Sequence, residues 1–160
     1  MDAVADDLRR TVAHAAEAML LLSDEQAARR PAPGKWSPKE IVGHLIDSAS
    51  NNHARFVRAQ GQDDLVFPGY DQEAWVRVQR YQEVPWPLLV ALWRDFNLLL
   101  AHVIEATPED ERLQPRHPHS LHRVAWVPVP EDAPATLDYL MRDYVGHLRH
   151  HLRQILSIAL

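Results

Sequence analysis

The stretch LDYLMRDYVGHLRHHLRQI, residues 137–155, decides the fold. Leu137, Leu140, Met141, Tyr144, Leu148, Leu152 and Ile155 recur at three- and four-residue steps, the spacing of a helix with one face in a core. Thr136 stands just ahead of it as an N-cap. His147 and His151 lie one turn apart at the edge of the apolar face, where two imidazoles can converge on a single point. A helix offers two ligands to one metal ion in this way. His150, turned by about 100° from its neighbour, points elsewhere.

Three further stretches have the same periodicity. From Val4 to Leu22 the residues Val4, Leu8, Val12, Ala15, Met19 and Leu22 keep helical spacing, with Asp2, Asp6 and Asp7 near the positive end of the helix dipole. RRPAPGKW, residues 29–36, breaks that helix, because Pro31, Pro33 and Gly34 cannot continue it. Ser37, Pro38 and Glu40 then form an N-cap, a proline at the first helical position and a capping-box acid, opening a second helix from Pro38 to Gln60. The third runs from Trp86 to Ala106 with Leu89, Leu92, Trp93, Phe96, Leu99, Leu100 and Val103 in a broad apolar stripe.

Residues 61–85 between the second and third helices are too long for a tight hairpin, and a short helix is expected near Gln72–Val78. Thr107 and Pro108 begin another brief helical turn. Residues 114–135 are proline-rich and irregular, with Val124–Val129 expected to pair as a short strand. Four amphipathic helices joined by one long crossover predict an all-α four-helix bundle, a single domain over residues 1–160.

Bulk properties narrow the function. The chain has 160 residues, a net charge of -5 and no block of basic residues, so no nucleic-acid partner is expected. Cysteine is absent, which excludes disulfides, thiolate metal sites and a cysteine nucleophile. The acidic N-terminus lacks the apolar segment of a secretory signal, and no run of about 18 apolar residues is evident. A cytoplasmic protein without a membrane partner is the expectation.

Two readings of the histidines stand side by side. In the first, His147 and His151 share one metal ion with His44, which lies on the inward side of the second helix with Ile41, Leu45 and Ser48. In the second, the three are separate polar side chains at the core rim. His53 is a poor substitute for His44, since nine residues carry it to the opposite face. The loop histidines His117, His119 and His122 lack a rigid frame for a second cluster. A di-iron bundle is disfavoured because no glutamate is followed by histidine three residues later.

Beside His44 the second helix carries a polar stripe. Asp47, one turn on, reads as a partner that fixes an imidazole or accepts a proton, and equally as a surface charge. Asn51 and Arg55 extend the stripe as candidate substrate-binding residues, Arg55 for an anionic group, with a solvated face as the plain alternative. Asp143 reads best as a surface ion pair, and Tyr70 and Trp75 as anchors of the crossover.

WSPKEIVGHLIDSASNNHARF (36–56), PGYDQEAW (68–75) and GHLRHHLRQI (146–155) together resemble the DinB-like superfamily, most closely its YfiT-like branch of metal-dependent hydrolases and thiol transferases. The resemblance implies a four-helix bundle, a divalent ion, zinc or nickel, held by His44, His147 and His151, and a homodimer. Two departures border the site. Gly146 stands where close relatives commonly carry an aromatic residue, and the loop of residues 116–134 is longer than usual.

Three neutral imidazoles leave an ion its full charge and an open position. The leading expectation, which the resemblance implies, is a thiol-dependent S-transferase, in which the ion activates a low-molecular-weight thiol cosubstrate for attack on a small-molecule electrophile. The alternatives are metal-hydroxide hydrolysis of an amide or ester, and a binding bundle without turnover. The lack of a glutamate base beside the histidine pair, unlike H-E-x-x-H hydrolases, leans toward thiol activation.

Overall fold

The computed structural model describes residues 2–156. Four long helices form the bundle: α1 (Ala3–Met19), α3 (Pro38–Ala59), α5 (Trp86–Ala106) and α8 (Leu137–Leu156). Four shorter ones lie in the connections: α2 (Asp24–Ala28), α4 (Gln72–Gln79), α6 (Glu109–Leu113) and α7 (Leu121–Val124). α1 and α3 each pack against both α5 and α8, so α1 faces α3 across the diagonal, as α5 faces α8.

Local chemistry sets the helix starts. Asp2 accepts the Val4 and Ala5 N–H groups at the head of α1. Ser37 and Glu40 complete the expected capping box, with the Ser37 N–H donating to Glu40 Oε2 at 2.8 Å. Thr136 Oγ1 accepts the Tyr139 N–H at 3.1 Å and caps α8. Leu8, Val12, Met19, Leu45, Phe56, Trp93, Leu100, Leu148 and Leu152 then meet in one fully buried core. The Phe56 and Tyr144 rings meet edge to face at 6.0 Å within it, a geometry that the ring quadrupoles favour.

Three expectations need correction. α1 ends at Met19, and the following residues make room for α2, whose own capping box uses Ser23 and Gln26. Val124–Val129 forms no strand. Among the described residues the only ladder contacts are isolated bridges, Leu65 with His119 and Arg116 with Ala135. Pro128 and Pro130 offer no N–H to a partner strand, and the Trp126 and Val127 N–H groups are taken by the Asp143 carboxylate at 2.8 Å. Finally, α5 is long and apolar enough to cross a membrane by length and composition. Its inner face is core, and Leu88, Leu92, Leu98 and Leu99 add outward apolar positions to it.

Candidate metal centre

His44 enters from the second turn of α3, and His147 and His151 from one edge of α8. The Nε2 atoms of His44 and His147 are 3.3 Å apart, and those of His147 and His151 are 3.1 Å apart. One nitrogen from each ring lies within 4.8 Å of the others. Bonds of about 2.0–2.1 Å at tetrahedral angles would separate such donors by about 3.3 Å, so the three rings fit a single ion.

Hydrogen bonds among the rings alone cannot explain this arrangement. A neutral ring nitrogen is either donor or acceptor, so His147 Nε2 cannot serve both neighbours with one proton. A shared cation satisfies all three lone pairs together. The outer nitrogen of His151 is consistent with that role: His151 Nδ1 sits 2.9 Å from Gln154 Oε1, which can accept its proton and leave Nε2 free to bind. Burial pushes His44 down to about 4 and His147 down to about 3, and neighbouring imidazoles add to both shifts. Burial also lowers His151. All three imidazoles are therefore neutral at physiological pH, the form able to bind a metal ion.

His44 is 1 % exposed, its ring centroid lies 5.2 Å from that of Trp36, and its Nδ1 has no hydrogen-bond partner. Asp47 is not bonded to an imidazole. Its Oδ1 accepts from Tyr81 Oη at 2.6 Å and from Gln79 Nε2 at 2.8 Å, while the buried Oδ2 has no partner. Burial raises the Asp47 pKa, and the Tyr81 and Gln79 bonds oppose that rise.

Arg80, at φ 52°, takes the left-handed conformation that turns the chain between Gln79 and Tyr81. Gly43 lets the Tyr81 ring lie flat on α3, since a Cβ there would stand 2.0 Å from Tyr81 Cδ2. Sequence reasoning missed Tyr81, Gln79 and Gln154. A glycine inside a strongly helical stretch was the readable sign of a close approach.

Two cavities flank the three rings. One of about 290 Å³ reaches His147 and is lined by Ser48, Asn52, Arg55, Tyr70, Trp126 and Asp143 among others. The other, about 720 Å³, reaches His151 between Trp36, Ile41 and Ile155, with Arg29 and Lys35 in its wall. Arg55 thus lines the first cavity. Asn51 does not, because its side chain turns back to the Asp47 carbonyl at 2.9 Å, and Asn52 takes the lining position.

Tyr70 faces the same cavity and also packs at a tilt against Trp75, with ring centroids 4.9 Å apart. Asp143 is no surface ion pair. It holds the loop that carries Trp126, and the Trp126 ring comes within 3.1 Å of where a Cβ on Gly146 would stand. The loop histidines do not converge on an ion. His117 and His119 meet backbone carbonyls of Glu131 and Ala133, and His122 lies 3.9 Å from the Glu131 carboxylate.

A DinB superfamily model matches residues 6–155 of the chain. A proposed metal-dependent hydrolase of Oceanobacillus iheyensis, OB0782, is 25% identical over 141 residues, covering 86% of this chain and 73% of its own length. YfiT of Bacillus subtilis, also a proposed metal-dependent hydrolase, is 21% identical over 144 residues, covering 89% of this chain and 75% of its own. The solved structure of YfiT, a four-helix bundle of unusual topology, matches with a TM-score of 0.77 at 20% identity. That match covers 96% of this chain and 82% of YfiT, and it establishes the shared fold.

Proposed function

The chain belongs to the DinB superfamily, and from that premise we propose that it is a metal-dependent S-transferase working at His44, His147 and His151. The observation that carries the reading is the placement of the three rings between two separate cavities, one bordered by His147 and the other by His151. A reaction joining two molecules needs two approaches to one centre. A divalent ion, zinc or nickel, supplies Lewis acidity there, lowering the pKa of a thiol or of water.

The protein's own groups do the rest. The three neutral imidazoles leave the ion's charge undiminished. Gln154 orients His151 through Nδ1. The polar cavity seats one substrate against His147, with Arg55 in its wall, while Trp36, Ile41 and Ile155 offer an apolar seat for an electrophile beside His151. Asp47, buried and three residues beyond His44, keeps Oδ2 without a partner and is the candidate proton acceptor of the reading.

Hydrolysis of an ester or amide is the second reading, favoured by the relatives' description as proposed metal-dependent hydrolases. The outward leucines of α5 support the homodimer implied by the resemblance, which a sedimentation measurement tests.

The deciding experiment pairs elemental analysis of the purified chain with two assays, loss of a low-molecular-weight thiol against monochlorobimane and product release from model esters and amides. One ion per chain and thiol consumption that stops on chelation are expected. Ester or amide turnover without thiol loss would select hydrolysis. Turnover that survives chelation would overturn both readings.

A further inference from the structure

Lys39, Arg55, Arg112 and Arg116 are the nearly fully buried basic side chains among the described residues, and all but Arg55 have a carboxylate partner. Lys39 donates to Asp24 at 2.9 Å and Arg116 to Glu111 at 2.8 Å, while Arg112 lies between Asp2 and Asp138. Arg55 is 5 % exposed, yet its guanidinium donates only to the Asn52 side-chain carbonyl and the Pro68 backbone carbonyl, each at 3.3 Å.

A guanidinium removed from water without an anion forgoes most of its solvation, and neutral acceptors at that distance return little of it. Arginine does not escape the cost by losing its proton at neutral pH. An anion is the partner that this guanidinium is built to take.

The surroundings say where that anion would sit. Arg55 lines the cavity of about 290 Å³ that reaches His147, a volume suited to a small molecule. Asn52 and Tyr70 stand beside it, and Arg123 adds a second cation to the wall. Asp143, the one acid in that wall, already accepts the Trp126 and Val127 N–H groups. We infer that this cavity receives a small substrate bearing an oxyanion, carboxylate or phosphate, that pairs with Arg55 while the reacting end of the molecule lies against His147. The assignment names the substrate class for the histidine centre and rests on that reading of it.

The test is run on metal-free protein in chelator, so that it can fail independently of the metal chemistry. Acetate, inorganic phosphate and the neutral isostere acetamide are titrated while the Arg55 Nε–Hε resonance, assigned by its loss in Arg55→Lys, is followed by NMR. Saturable shifts with acetate or phosphate and none with acetamide are expected, and the tighter of the two anions identifies the group carried by the substrate. Arg55→Gln, read through the neighbouring Asn52 side-chain amide, should weaken anion binding by roughly 30-fold or more. Arg55→Lys, which keeps the charge, should retain part of the affinity and guards against a variant that fails to fold. Anion binding unchanged in Arg55→Gln, or no saturable binding to the wild-type chain, would overturn the inference.

Discussion

Two sets of three histidines occupy this chain, and they end up in opposite states. His44, His147 and His151 stand on two long helices whose backbones are already hydrogen-bonded internally, so their ring nitrogens are free to face one another. His117, His119 and His122 stand in and beside a proline-rich loop whose carbonyls need donors, and the rings of His117 and His119 are consumed there. His119 is used at both nitrogens, by the Ala133 carbonyl and by the Leu121 N–H. Histidine number therefore predicts little; what matters is whether the local backbone leaves the imidazole anything to do.

The largest effect expected from breaking this contrast is on metal binding. His147→Ala removes the ring that lies next to both others and should lower metal affinity by more than about 100-fold, whereas replacing all three loop histidines should leave metal content unchanged. Equilibrium dialysis followed by elemental analysis reads both. Equal losses in the two variants would abolish the distinction.

Acid sensitivity should come next. His44, His147 and His151 are held below the ordinary imidazole range chiefly by burial, whereas in the unfolded chain they take up protons near pH 6.5. The unfolded state then binds more protons, so this contribution to stability is complete above about pH 6.5 and declines as the pH falls toward about 4. Urea midpoints of metal-free protein across that window should show the decline, and His147→Phe should flatten it.

Gly43→Ala drives a methyl group into the Tyr81 ring and should cost about 1–3 kcal/mol, detaching the tyrosine from Asp47. Thermal unfolding reads the cost, and tyrosine fluorescence the detachment. In the loop, His119→Ala strands the Ala133 carbonyl and the Leu121 N–H and should cost about 1–2 kcal/mol without altering metal affinity. Trp126→Ala is the mildest change, within about 0.5 kcal/mol of wild type in stability because the ring is half exposed, and its readout is substrate preference.

The bundle and the inward-facing positions of its three clustered histidines were legible because helical periodicity is local. A side chain's face follows from its offset along one helix, and both α3 and α8 announce their starts with caps. The partners of Asp47 were not legible in the same way, since Tyr81 and Gln79 arrive from the far end of a crossover whose path depends on a left-handed residue at Arg80. Asp143 was misread for a related reason. Its spacing on α8 suggested a side chain in solvent, but the loop that folds back over it supplies two N–H groups that no helical pattern records. Asn51 and Asn52 differ by one position, and only the latter faces the cavity.

The Trp126 ring lies over a glycine on α8, so part of the cavity wall is lent by the loop while the three converging histidines belong to the helices. Changes in that connection can therefore reshape the cavity while leaving the histidine cluster untouched.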